Sequence, residues 1–107
     1  MKIIKAIDIQ TEEKFDLPKT GEGNWLEWLA EQRYLICDRI PLGYVSFEVY
    51  RQEETEVYAL YHPVIQGLET ECLFFNIPDE ATVQELISLA KKMMGIMSQL
   101  SGLVRNV

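Results

Sequence analysis

The spacing of apolar residues in the last quarter of the chain predicts one long helix with two apolar seams. A seam here is a row of apolar residues that recur at steps of four and three along one side of the helix. The second seam is displaced by three residues from the first. The first seam comprises Val83, Ile87, Ala90, Met94, Met97 and Val104, and the second comprises Leu86, Leu89, Met93, Ile96, Leu100 and Leu103. Together they cover an arc of roughly 200°, about twice the width that packing on a sheet requires. The surplus seam is buried either within the core of one monomer or between chains.

Upstream of this helix, the pattern predicts strands and one short helix. Strands are expected over 2–9, 43–51, 57–64 and 71–77. Asn24 is expected to cap a helix over 25–32, and Asp79 to cap the long one. Residues 33–40 are an extended segment or a short strand ended by Pro41. The chain is thus predicted to be a single α+β domain over 1–107, with a mainly antiparallel sheet of about four strands and a long amphipathic C-terminal helix.

The predicted strand over 71–77 is apolar on both sides. Cys72 and Phe74 alternate with Leu73, Phe75 and Ile77. A strand that is apolar on both faces is covered on both. The position of this strand within the sheet is not determined by the sequence pattern.

The net charge of −7 is unevenly distributed along the chain. Eight acidic residues and no lysine or arginine lie between Gln52 and Ala90. Binding to nucleic acids or anionic membranes requires clustered basic residues, so neither is expected. The acidic span either attracts a basic protein or a cationic small molecule, or serves as a solvated surface. No stretch is apolar for long enough to span a membrane, and the start of the chain carries early charges, so a cytoplasmic protein is expected.

Residues that would support catalysis are sparse in this sequence. The one histidine, His62, and the two cysteines, Cys37 and Cys72, do not have the spacing of a metal site or a nucleophilic pair. No glycine-rich phosphate-binding pattern occurs. We therefore expect neither an enzyme nor a metal or cofactor. In a reducing compartment both cysteines are expected to be free and buried.

A candidate ligand site lies on one face of the predicted strand over 43–51. Tyr44, Glu48 and Tyr50 share that face, opposite Val45, Phe47 and Val49. Aromatic rings around one carboxylate suit a cationic or aromatic guest. The same pattern is also typical of an ordinary half-exposed sheet face, where tyrosine is a favourable strand residue.

About 40 residues, from "WLEWLAEQ" through "PLGYVSFEVY" to "TEVYALYHPV", resemble the helix–strand–strand part of GyrI-like, or SOUL-type, effector-binding domains. The resemblance implies a cleft that is lined by aromatic residues and a glutamate and that binds small molecules. Carried onto this sequence, it adds Trp28 to Tyr44, Glu48 and Tyr50 as candidate ligand-binding residues. The chain is shorter than two repeats of that family.

Three functions follow from these patterns. The first is a non-catalytic interaction module that forms a homo-oligomer, expected to be a dimer, through the long helix. Its interface residues would be Leu89, Met93, Ile96, Leu100 and Leu103. The second is a domain that binds a cationic or aromatic small molecule, of the GyrI-like type. The third is an acidic inhibitor or immunity-type protein that covers a basic partner.

Overall fold

The computed structural model describes residues 6–16, 24–42, 45–62 and 72–105, and in the last helix it describes side chains as far as Lys92. These residues form an α+β fold of six strands and two helices. The elements are β1 (Ala6–Asp8), β2 (Lys14–Phe15), α1 (Trp25–Glu31), β3 (Tyr34–Leu42), β4 (Val45–Gln52), β5 (Tyr58–His62), β6 (Cys72–Ile77) and α2 (Glu80–Arg105). The strands form one sheet in the order β2-β1-β6-β5-β4-β3.

The sheet is larger than predicted, and it is mixed. β1 pairs with β6 in parallel, while the other neighbouring strands are antiparallel. The prediction of about four strands missed β2, which has only two residues and lies in a segment for which no strand was predicted. Such a short polar strand has no room for a period-two pattern and is defined by its pairing with β1.

Each face of the sheet carries its own buried cluster. The cluster on the α1 side comprises Ala6, Trp25, Trp28, Leu29, Tyr34, Ala59, Tyr61, Leu73 and Phe75. The cluster on the α2 side comprises Phe47, Val49, Leu60, Ile77, Val83 and Ile87. β6 contributes to both clusters, which confirms the prediction of a strand covered on both faces.

A bulge in β6 explains why Ile77 faces α2, although the sequence alternation placed it on the side of Leu73 and Phe75. The register between β5 and β6 shifts at this point, and Asn76 has a φ of 59°. An extra residue in one strand reverses the alternation of those that follow. Asn76 also donates through Nδ2 to Oδ1 of buried Asp8, at 3.1 Å.

β3 is an edge strand of the described sheet and continues through Pro41 to Leu42. The expectation that Pro41 ends this strand was wrong. A proline at a sheet edge removes an N–H that no neighbouring strand needs, so the edge position tolerates it. The register of β3 against β4 shifts between Ile36 and Asp38, which makes Cys37 the extra residue of a second bulge.

Both helices begin as predicted. The side chain of Asn24 accepts a hydrogen bond from the backbone N–H of Glu27 at 2.9 Å. Asp79 accepts from the backbone N–H of Thr82 at 2.7 Å and from its hydroxyl at 2.9 Å. These bonds hold the pKa of the Asp79 carboxyl below its usual value. α2 then runs without a break through Gly95 and Gly102.

Candidate functional site

Glu48 and Tyr50 of the predicted ligand site lie together on the α1 side of β4. The Tyr50 hydroxyl donates to Glu48 Oε1 at 3.0 Å, and Arg39 Nε lies 3.4 Å from Oε2. Burial, followed by this hydrogen bond, raises the pKa of Tyr50 to about 12. The carboxylate thus already has a neutral donor and a cation from its own chain, and a cationic guest would compete with Arg39.

Trp28 lies in the core on the same side of the sheet and is 5% exposed. Its ring centroid is 4.8 Å from that of Phe75, 5.4 Å from that of Trp25 and 6.2 Å from that of Tyr34. These contacts make both tryptophans of this helix part of the aromatic core. Tyr44 lies outside the described residues. The ligand-binding role of the set stays a prediction.

The described part of α2 separates the two predicted seams. Val83 and Ile87 of the first seam are buried against the sheet, and Ala90 is half-buried. In the second seam, Leu86 packs against the same cluster, but Leu89 is 56% exposed. The side chains of the other predicted interface residues lie outside the described residues; these are Met93, Ile96, Leu100 and Leu103. Among the described residues of the second seam, Leu89 is therefore the one that is exposed to solvent.

A groove that the sequence analysis did not predict lies on the α2 side of the sheet. Its volume is about 510 Å³, and it runs between edge strand β3 and the first turns of α2. The apolar side chains that line it include Leu35, Val49, Tyr58 and Val83. Four carboxylates also line it, those of Asp38, Glu53, Glu54 and Glu80, together with the single cation Arg51.

Charged residues of this groove affect the pKa of the Cys37 thiol. Burial raises the pKa of Cys37, and the nearby carboxylates of Asp38 and Glu80 raise it further. Arg51 acts in the opposite direction. Both carboxylates thus lie close enough to act on one sulfur, although they belong to different elements. The groove is an apolar channel with a predominantly negative lining.

The arrangement of cysteine and histidine gives no activated nucleophile among the described residues. Cys72 and His62 are cross-strand partners in β6 and β5. Burial raises the pKa of Cys72 to about 11, whereas a nucleophilic cysteine needs a lowered pKa. The His62 ring packs on Phe47, with 4.6 Å between the ring centroids. Within the same residues, no three metal-ligating side chains come together.

Both cysteines are free, as predicted, but Cys37 is exposed, which corrects the expectation that both are buried. They lie on β3 and β6, with two strands between them. That separation is about 14 Å at the usual strand spacing, too far for a disulfide. Cys37 is exposed because it is the extra residue of an edge-strand bulge. No helix in the described part of the chain is long and apolar enough to cross a membrane.

Comparison of the sequence with protein-family models, curated proteins and solved structures gives no match. The resemblance to GyrI-like domains therefore stays a prediction.

The acidic span was the one sequence signal that pointed towards the groove. Three of the four carboxylates, Glu53, Glu54 and Glu80, lie within it. Asp38 lies outside the span and reaches the groove because β3 pairs with β4. The four carboxylates come together because of the order of the strands in the sheet, and amino-acid composition does not determine that order.

Proposed function

We propose that this protein is an acidic, non-catalytic interaction module that forms a homodimer through the second seam of α2. The observation that carries the proposal is the contrast between two neighbouring positions on this helix. Ile87 is 3% exposed against the sheet, whereas Leu89 is 56% exposed. A helix that is apolar on two sides needs a second surface to cover the outer one.

The length of α2 supports a partner outside the chain's own sheet. Its 26 residues span about 39 Å at 1.5 Å per residue. β5 and β6, on which it packs, have five and six residues, which correspond to about 17 and 20 Å. The packing contacts described for α2 come from its first eleven residues, as far as Ala90. The apolar spacing continues along the rest of α2. β5 and β6 are too short to pack against the whole length of this helix.

Charge favours a second copy as the partner, in antiparallel orientation. Glu85 and Lys92 lie within about 60° of Leu89 around α2 and therefore flank the seam. An antiparallel pair whose two-fold axis passes near Leu89 brings Glu85 of each helix towards Lys92 of the other. It also opposes the two helix dipoles favourably. A two-fold axis across the helix pair would make the interface self-complementary.

Light scattering on a sizing column at low micromolar concentration tests this proposal. We expect a species of twice 12.4 kDa for the wild type. The double substitution Leu89→Glu with Ile96→Glu should give a species of 12.4 kDa, because two carboxylates would be buried in an apolar interface.

The matched control is Ala81→Glu with Ser88→Glu. It adds the same charge at exposed positions on the polar side of α2. This variant should remain dimeric, and far-UV circular dichroism should show that both variants are folded. A monomeric wild type, or a dimer that survives the seam substitutions, would contradict the proposal.

A further inference from the structure

The groove between β3 and α2 has an apolar side that its own chain leaves in contact with water. Leu35, the cross-strand partner of Arg51, is 59% exposed and lines the groove. Val49 and Val83 continue this apolar surface into the buried cluster on the α2 side. An exposed apolar side chain that continues a buried apolar cluster in this way is typical of an interaction surface.

The charges of the groove come from separate parts of the fold. Asp38 belongs to β3, Glu53 and Glu54 to the connection between β4 and β5, and Glu80 to the first turn of α2. Arg51 supplies the only positive charge of the lining. Carboxylates spread over three elements match several cations spaced along a chain better than one small cation.

We propose that this groove binds an extended, lysine- or arginine-bearing segment of a partner protein. The aliphatic stems of lysine and arginine cover apolar surface while their charged ends reach a polar rim. Here the stems would lie on Leu35 and Val49, and the charged ends would meet Asp38, Glu53 and Glu80. β3 is an edge strand, which leaves one of its sides without a strand neighbour in the described sheet.

This inference does not rest on the proposed dimer. At 100° per residue, Glu80 lies about 180° around α2 from Leu89. The seam and the groove therefore use opposite sides of the helix, and one chain could use both surfaces at once. Failure of either proposal leaves the other intact.

The first test measures fluorescence anisotropy of a rhodamine-labelled octapeptide of alternating lysine and leucine. We expect the wild type to bind it at low salt and to bind it more weakly as salt rises, since exposed charges are screened. The counterpart peptide with glutamate in place of lysine should not bind. Equal binding of the two peptides would overturn the proposal, and so would no binding of the lysine peptide.

Matched variants separate the groove from the overall negative charge. The groove variant Glu53→Gln, Glu54→Gln, Glu80→Gln should bind the lysine peptide about tenfold more weakly, because three charge pairs are lost. The control Glu13→Gln, Glu27→Gln, Glu31→Gln removes the same charge at exposed positions outside the groove lining. It should change the affinity less than twofold. Equal losses in the two variants would show a general field effect and overturn the proposal.

Alkylation of Cys37 gives a second measurement that locates the peptide. Cys37 lines the groove and is exposed, so a bound peptide should shield it from N-ethylmaleimide. We expect saturating lysine peptide to slow modification of Cys37 severalfold, as read by mass spectrometry. An unchanged rate at saturation would place the peptide elsewhere and refute the assignment.

Discussion

At the scale of single residues, the two cysteines differ in ways that their sequence positions do not show. Cys37 is exposed at an edge-strand bulge, and neighbouring carboxylates help to raise its pKa. Cys72 lies on a central strand, and burial alone raises its pKa to about 11. The thiolate is the reactive form, so both thiols should react more slowly than an unperturbed cysteine.

We expect alkylation at pH 8 to modify Cys37 well before Cys72. A thiol with a pKa of about 11 is only about 0.1% ionised at this pH, roughly a hundredfold less than one at the ordinary value of 9.0. The rate at Cys72 should keep rising about tenfold per pH unit up to pH 10, because its pKa lies above that range. Iodoacetamide labelling followed by peptide mass spectrometry measures both rates. Faster labelling of Cys72 than of Cys37 in the folded protein would contradict these assignments.

At the scale of elements, the bulge in β6 is the feature on which the two-sided core depends. Asn76 has a φ of 59°, donates to Asp8 and accepts from Gln10 Nε2 at 3.1 Å. Asp8 Oδ1 also accepts from the backbone N–H groups of Gln10 and Thr11. This network fixes the turn after β1 and the reversal that directs Ile77 towards α2.

Two substitutions at Asn76 should separate backbone geometry from hydrogen bonding. Asn76→Gly keeps the positive φ and loses only the side-chain bonds, so we expect a loss of about 1 kcal/mol in the free energy of unfolding. Asn76→Val loses the same bonds and adds the steric cost of a left-handed backbone, about 1–2 kcal/mol more. Urea denaturation measures both losses. Equal losses would mean that the backbone conformation at this position contributes nothing to stability.

Elements whose pattern is local could be predicted from the sequence, and those defined by distant pairing could not. The helical spacing of Val83 and Ile87 and the strand alternation of Phe47 and Val49 are both visible within a short stretch of sequence. The structure confirms both elements. The parallel pairing of β1 with β6 joins residues more than sixty positions apart. The bulges at Cys37 and Asn76 shift the strand register without interrupting the alternation of residues in the sequence. The sequence pattern therefore did not predict the groove beside β3.

At the scale of the whole molecule, one sheet separates two layers with different roles. The α1 layer packs an aromatic cluster of Trp25, Trp28 and Phe75, which closes that face. The α2 layer closes its face with only part of the helix and leaves Leu89 in water. The two surfaces that we propose to bind partners, the seam and the groove, both belong to the α2 side. In the proposed dimer, folding of the sheet and association through α2 should therefore be thermodynamically linked.

That linkage predicts a melting temperature that depends on protein concentration. A partner that binds only the native state stabilises it by mass action, and each tenfold rise in concentration adds about 1.4 kcal/mol per dimer. For a dimer of this size, we expect Tm to rise by about 3–5 °C per tenfold step. Calorimetry between about 2 and 200 µM would measure this slope against Leu89→Glu, whose Tm should not change with concentration. Leu89 is exposed, so the substitution should leave the fold of each chain intact while removing the linkage. A concentration-independent Tm in the wild type would mean that the chain folds without help from a second copy, and the seam would then lose its assigned role.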